Sequence, residues 1–250
     1  MIIPTAEPFF FPGNRTGCLL VHGFTGAPKE MRWMGEYLAS KGYSVLGVRL
    51  AGHATQPEDM LRVRWRDWVT SVEDGYDLLK GAADQIFVMG LSMGGILSLL
   101  FAAEQHVSGV VAMSTPYELP DDPRLPFIKV LSLLQPKVPK GSPDWRNPDA
   151  AKDHVDYPYH PTRAIVELRD LLREMRLALP NVKVPVLLIH SHLDAGVLPR
   201  NAEQILAHLG TRDKQLLWVE NSGHVITREP DRQFVFKAAE DFIRRIQATG

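Results

Sequence analysis

Between Gly17 and Glu220, short apolar runs alternate with longer stretches of helical periodicity, and that alternation leaves few folds open. The runs "GCLLVHG", "YSVLGVRL", "QIFVMG", "GVVAMS", "VPVLLIH" and "QLLWVE" have strand length. They are apolar almost throughout, as strands covered on both faces are. Between them, "PKEMRWMGEYLASKG" has Pro28 in its first turn and Gly42 just past its end. "DWVTSVEDGYDLLK" repeats Trp68, Val72, Tyr76 and Leu79 at helical spacing. Further helices are expected from about Met93, near "NAEQILAHL" and from about Asp231. The pattern implies an α/β fold, a mostly parallel sheet with helices on both faces.

The alternation stops between residues 116 and 180, where no strand is evident. "LPFIKVLSLL" suits a short amphipathic helix, and "TRAIVELRDLLREMRLAL" places Ile165, Leu168, Leu172, Met175 and Leu179 on one apolar face. A Pro- and Asp-rich stretch lies between them. An insertion this long exceeds an ordinary connection. It reads as a small helical cap set over the C-terminal edge of the sheet, within one domain spanning residues 1–250.

Composition excludes several classes of partner. A formal net charge of −1 supplies no basic field for nucleic acid. No apolar run approaches the length of a membrane span, and the N-terminal "MIIPTAEPFFFPGN" lacks the basic start of a signal peptide. A cytoplasmic protein is the expectation. The single cysteine, Cys18, sits inside "CLLV" and is expected to be a buried, inert thiol.

The chemistry is concentrated in "QIFVMGLSMGGILSLLFAAE", where a strand pattern passes into a helix pattern through Ser92. The motif G-x-S-x-G should arise by chance in roughly one chain of this length in ten, so its context decides its meaning. A strand that runs directly into a helix needs a sharp, strained turn. Gly90 and Gly94 leave room for it, and Gly95 would relieve the helix start. Such a turn exposes a hydroxyl at the strand end, beside the N–H of Met93 at a helix N-terminus. A serine that merely caps a helix needs no glycine on both sides.

A serine hydroxyl needs a base, and the base needs an acid to hold it. Of nine histidines, His224 follows the strand "QLLW" in the polar loop "NSGHVIT", which puts it at the same sheet edge as Ser92. His22 and His53 adjoin glycines and are expected to order backbone turns. His106, His154, His160 and His208 look like surface residues. Asp194 follows "VPVLLIHSHL", again just past a strand; Asp213 and Glu220 are rival acids, the first preceding its strand and the second close to His224 in sequence.

"LLVHGFTG", "GLSMGG", "SHLDAGVLP" and "NSGHVIT" together resemble the α/β-hydrolase family, and within it the small bacterial carboxylesterases and monoacylglycerol lipases. "RLAGHATQPEDM" and "RDWVTSVEDGYDLLK" resemble segments of the same subgroup. The resemblance implies Ser92 as nucleophile, His224 as general base and Asp194 as its orienting partner. It also implies the backbone N–H groups of Phe24 and Met93 as oxyanion donors. It implies a small-molecule ester with an acyl chain as substrate, most readily a monoacylglycerol or a short-to-medium-chain ester, and no cofactor or metal. Where relatives tend to read Gly-His-Gly, this chain has Gly52, His53 and Ala54.

Three other readings compete. "IHSHLD" spaces His190, His192 and Asp194 like ligands of a metal-dependent hydrolase, although Ala195 stands where that motif continues with histidine. Thioesters and amides could use the same serine machinery. A non-catalytic ligand receptor on this fold is opposed by the presence of all three catalytic residue types.

Overall fold

A computed structural model describes residues 1–123, 125–142 and 144–249. The elements in chain order are β1 Phe9–Phe11, β2 Thr16–Val21, α1 Lys29–Ser40, β3 Ser44–Val48, α2 Trp65–Lys80 and β4 Gln85–Leu91. Then come α3 Met93–Glu104, β5 Gly109–Met113, α4 Ile128–Leu134, β6 Lys137–Pro139, α5 Pro148–Lys152 and β7 Tyr159–Pro161. The chain closes with α6 Thr162–Ala178, β8 Val186–Ser191, α7 Arg200–His208, β9 Lys214–Val219 and α8 Arg232–Thr249.

The main sheet has the order β1-β3-β2-β4-β5-β8-β9, parallel throughout except for β1, which pairs antiparallel with β3. The strand period of two sorts its residues to opposite faces. Leu19, Val21, Val88, Val110 and Leu188 pack with Trp68 and Val72 of α2, Ile96 and Leu100 of α3, and Leu171 and Met175 of α6. Cys18, Leu20, Phe87, Met89, Val111 and Ile189 pack on the other face with Met31 and Met34 of α1 and Phe236 and Phe242 of α8. The central positions of these strands are thus apolar for one face or the other, with polar residues such as Thr16, Ser44, Gln85, His190 and Ser191 at the strand ends, which explains the near-continuous apolar runs. Cys18 lies in the second layer, fully buried, and burial pushes its thiol pKa up.

The chain winds from β2 outward to β3 and then crosses back to β4 on the other side. A crevice forms at such a switch point, outside the carboxyl ends of the strands. The loop after β2 and the turn after β4 therefore meet there.

Two details differ from the sequence reading. β1 is three residues between Pro8 and Pro12, too short to show an alternation, and it occupies a sheet edge where proline is tolerated. The 116–180 segment contains β6 and β7, a two-stranded antiparallel ribbon, as well as α4 to α6. Its strands are three residues each and carry Pro139 and Pro161, so neither composition nor period marks them. Helix α6 turns Leu168, Leu171, Leu172 and Met175 into the main core, and Ile165 and Leu168 also line a cavity above the sheet edge. Among the described residues, no helix is long and apolar enough to cross a membrane.

Candidate active site

The turn from β4 to α3 places Ser92 at φ 54° and ψ −117°, a sparsely populated conformation for any residue with a side chain. The surrounding packing accounts for the strain. A Cβ on Gly90 would lie 2.0 Å from the Gly94 carbonyl oxygen, and one on Gly94 would lie 2.1 Å from that of Val21. The glycines let the head of α3 sit directly against the ends of β4 and β2. Gly95 has a different task from the one its sequence position suggested: a Cβ there would lie 1.9 Å from Thr115 Oγ1, so it makes room for the segment after β5. Ser92 makes no side-chain capping bond to α3, so its hydroxyl is not spent on the helix.

His224 follows β9 and Asp194 follows β8, and their side chains meet with Nδ1 2.8 Å from Oδ2. An ionised carboxylate only accepts, so Nδ1 carries the proton and Nε2 is left as the basic nitrogen. The other oxygen of Asp194, Oδ1, accepts the N–H groups of Gly196 at 2.9 Å and Val197 at 2.7 Å. Burial alone would raise the pKa of Asp194, but His224 and these bonds hold it below the usual carboxylate range. Burial opposes the charged form of His224. The Asp194 carboxylate, through its charge and hydrogen bond, outweighs that and, with Asp144 and Glu30, raises the imidazole to about 9.

The loop after β2 is fixed from both sides. His22 Nε2 accepts the Leu50 N–H at 3.1 Å, and Nδ1 donates to the Gly23 carbonyl oxygen at 2.9 Å. Glu30, buried on α1, accepts the Gly23 N–H at 2.8 Å. A Cβ on Gly23 would stand 3.4 Å from Ser92 Cβ, so this loop lies against the serine turn. Phe24 is half-buried and stacks on His160, with ring centroids 5.4 Å apart. Met93 is the first residue of α3, where N–H groups have no partner within the helix.

Ser92, Phe24 and His224 line one cavity of about 460 Å³. Leu125, Ile128, Leu131, Val138, Ile165 and Leu168 from the 116–180 segment give it apolar walls. Glu30, Lys140, His154 and Asp156 form a polar part: Lys140 pairs with Asp156, and His154 Nε2 lies 3.6 Å from Glu30 Oε1. Burial raises Glu30 to about 7 and lowers His154 to about 4.

His106 and His208 are exposed, as expected, but His154 and His160 are not surface residues. The ribbon and α5 fold over the sheet edge and turn both imidazoles into the cavity, and burial lowers each to about 4. Glu30, Lys140, Asp144 and Asp156 were not singled out in the sequence. They sit in a helix and in a Pro-rich stretch whose local pattern carries no signal of what lies across the cavity. Of the rival acids, Asp213 is paired with Arg245 at 2.8 and 2.9 Å, and Glu220 with His192 at 2.9 Å. His192 stacks on Trp218 at the surface, whereas His190 is buried with Nε2 2.8 Å from the Val197 carbonyl oxygen. Those two imidazoles therefore diverge. Among the described residues no three His, Cys, Asp or Glu side chains are grouped to hold an ion.

The chain has counterparts among known proteins. The sequence model of a family described as "Serine aminopeptidase, S33" matches residues 13–231. A thermostable monoacylglycerol lipase of Bacillus sp. (strain H-257) is 35% identical over 251 residues, covering 98% of this chain and 96% of its own. A carboxylesterase of Bacillus subtilis (strain 168) is 30% identical over 249 residues, covering 98% and 99%. A structure solved in work on LipS and LipT, two metagenome-derived lipolytic enzymes, aligns with a TM-score of 0.89. It is 32% identical and covers 98% of this chain and all of the other, 100%.

Proposed function

Because this chain belongs to the serine aminopeptidase S33 family of α/β-hydrolases and is a carboxylic ester hydrolase, we propose that it cleaves monoacylglycerols and short-to-medium-chain acyl esters by serine catalysis through an acyl-enzyme. In this scheme Ser92 Oγ attacks the ester carbonyl while His224 Nε2 takes its proton. Asp194 holds the imidazole in the required tautomer and balances its charge. The N–H groups of Phe24 and Met93 receive the oxyanion. His224 returns the proton to the leaving alcohol, and water repeats the sequence to release the acid.

The observation that carries the reading is the convergence of Ser92 and the Asp194–His224 pair, from three different strand ends, on one cavity. That cavity has two characters. The apolar walls supplied by residues 116–180, the cap of this single domain, suit one acyl chain. The polar group around Lys140 and Asp156 suits the hydroxyls of a polyol alcohol. Treatment with a fluorophosphonate followed by peptide mass spectrometry tests the scheme. The expected outcome is stoichiometric loss of esterase activity with the label on Ser92; labelling elsewhere with full inactivation refutes it.

A further inference from the structure

The loops that carry the acid and the base are tied together by a carboxylate from outside both. Asp144 lies between β6 and α5, in the 116–180 segment. Its Oδ2 accepts the N–H of Ala195, next to Asp194, and the N–H of His224, each at 3.0 Å. Gly223 permits the approach: a Cβ there would stand 2.4 Å from the Asp144 carbonyl oxygen and 2.7 Å from Oδ1. The sequence reason for "SGH" at the base is therefore a side chain some 80 residues earlier in the chain.

Asp144 is itself held in place from below. The buried carboxylate of Glu229 accepts the N–H of Arg146 at 3.0 Å and the N–H of Gly223 at 3.1 Å. Asn147 donates from its side chain to the Arg228 carbonyl oxygen at 2.8 Å. Glu229 thus ties the 144–147 stretch to the base loop by a separate set of bonds that does not reach the acid loop. The segment stays anchored when the Asp144 carboxylate is removed, and what is lost is the link to the Ala195 and His224 amides.

We propose that Asp144 is a positioning residue for the base, fixing the His224 loop against the Asp194 loop so that residues 144–147 of the cap belong to the catalytic apparatus. The inference rests on Ser92, Asp194 and His224 acting as proposed above. It makes the cap more than a wall of the substrate cavity, since one of its side chains sets the register of two loops on the core. It also has an electrostatic consequence. The groups facing His224 are Asp194, Asp144, Glu30 and His190, with Glu229 one residue removed through Gly223. Asp144 adds negative charge to that set and favours the imidazolium.

The test compares the full chain with Asp144→Asn, Asp144→Ala and Ser92→Ala on p-nitrophenyl butyrate, with kcat and KM measured across pH. Asparagine keeps an oxygen that can accept both amides but removes the charge. Asp144→Ala is expected to lose kcat by about 10²-fold at little change in KM, the scale of a small misplacement of a catalytic group. Asp144→Asn is expected to recover most of that kcat and to move the acidic limb of kcat/KM down by at least several tenths of a pH unit. A merely structural contact would lower the melting temperature without moving the limb. Wild-type kcat and an unmoved limb in Asp144→Ala overturn the proposal. If the alanine variant does not fold, an unmoved limb in Asp144→Asn overturns it. Full activity in Ser92→Ala would instead refute the underlying triad, whatever Asp144 does.

Discussion

His224 Nδ1 lies 2.8 Å from Asp194 Oδ2, although the two residues are 30 positions apart and follow different strands. Strands β8 and β9 are neighbours in parallel register, Ser191 beside Val219, so the loops leaving their ends emerge side by side. One carboxylate oxygen is left for the imidazole because the other is occupied by the Gly196 and Val197 amides. The acid is therefore held from both sides, and its carboxylate raises the pKa of the His224 imidazole.

The first prediction concerns pH and activity. His224 acts as a base only when neutral, and its pKa is raised to about 9. In free enzyme kcat/KM is expected to climb with pH, with its acidic limb centred near that value. A limb centred at or below the ordinary histidine value would show that Asp194 does not control the base.

Stability should move the opposite way. The folded-state pKa of His224 lies above the ordinary histidine value of 6.5, so its stabilising contribution is complete below about 6.5 and is lost as pH rises through about 9. Thermal melts of wild type should decline across that window more steeply than those of His224→Ala. Parallel curves would rule the contribution out.

The proposed triad predicts a pattern of non-additivity. Ser92→Ala and His224→Ala should each lower kcat by roughly 10⁴-fold or more, with the double variant scarcely worse than either. Asp194→Asn should be severely impaired because the wrong tautomer of His224 is then favoured. Asp213→Asn should keep turnover, since Asp213 is engaged by Arg245. Near-normal kcat in Asp194→Asn would reassign the acid.

Packing at the serine turn makes a prediction about stability. Gly94→Ala drives a Cβ against the backbone oxygen of Val21, which no rotamer change relieves. Overpacking of this kind costs roughly 1–3 kcal/mol or more, and α3 must shift to accommodate it. Denaturant unfolding should show the loss together with a fall in activity. Cys18→Ala, by contrast, should retain most kcat after correction for folded protein, because the thiol is buried away from the cavity.

Substrate range follows from the apolar walls around Ile128, Leu131 and Ile165. Each methylene buried there adds about 0.8 kcal/mol, roughly fourfold in kcat/KM, until the cavity is filled. Short-to-medium acyl esters and monoacylglycerols should be hydrolysed well and long-chain triacylglycerols poorly, with chelator leaving activity intact. A rate independent of acyl length, a preference for triacylglycerol, or loss of turnover to EDTA would each contradict the scheme.

Local chemistry determined much of this protein from sequence alone. Strand and helix periods, the glycines around Ser92, and the polar loops following strand-like runs are one-dimensional signals, because each reflects a constraint acting within a few residues. They were enough to point to the parallel sheet, to the strained turn, and to the loop positions of Asp194 and His224. Gly95 was legible as a necessity but not in its reason, since Thr115 reaches it only after β5 pairs with β4. The β6–β7 ribbon, the inward-facing His154 and His160, the Glu30 bond to Gly23, and the Asp144 bridge were decided by tertiary structure. Each depends on a single side chain or a three-residue strand, too short to leave a period, and the Asp144 bridge spans 51 and 80 positions of chain. Hydrogen bonds and burial act through space, so a proline-rich stretch can hold an ordered residue against the base without any local pattern that records it.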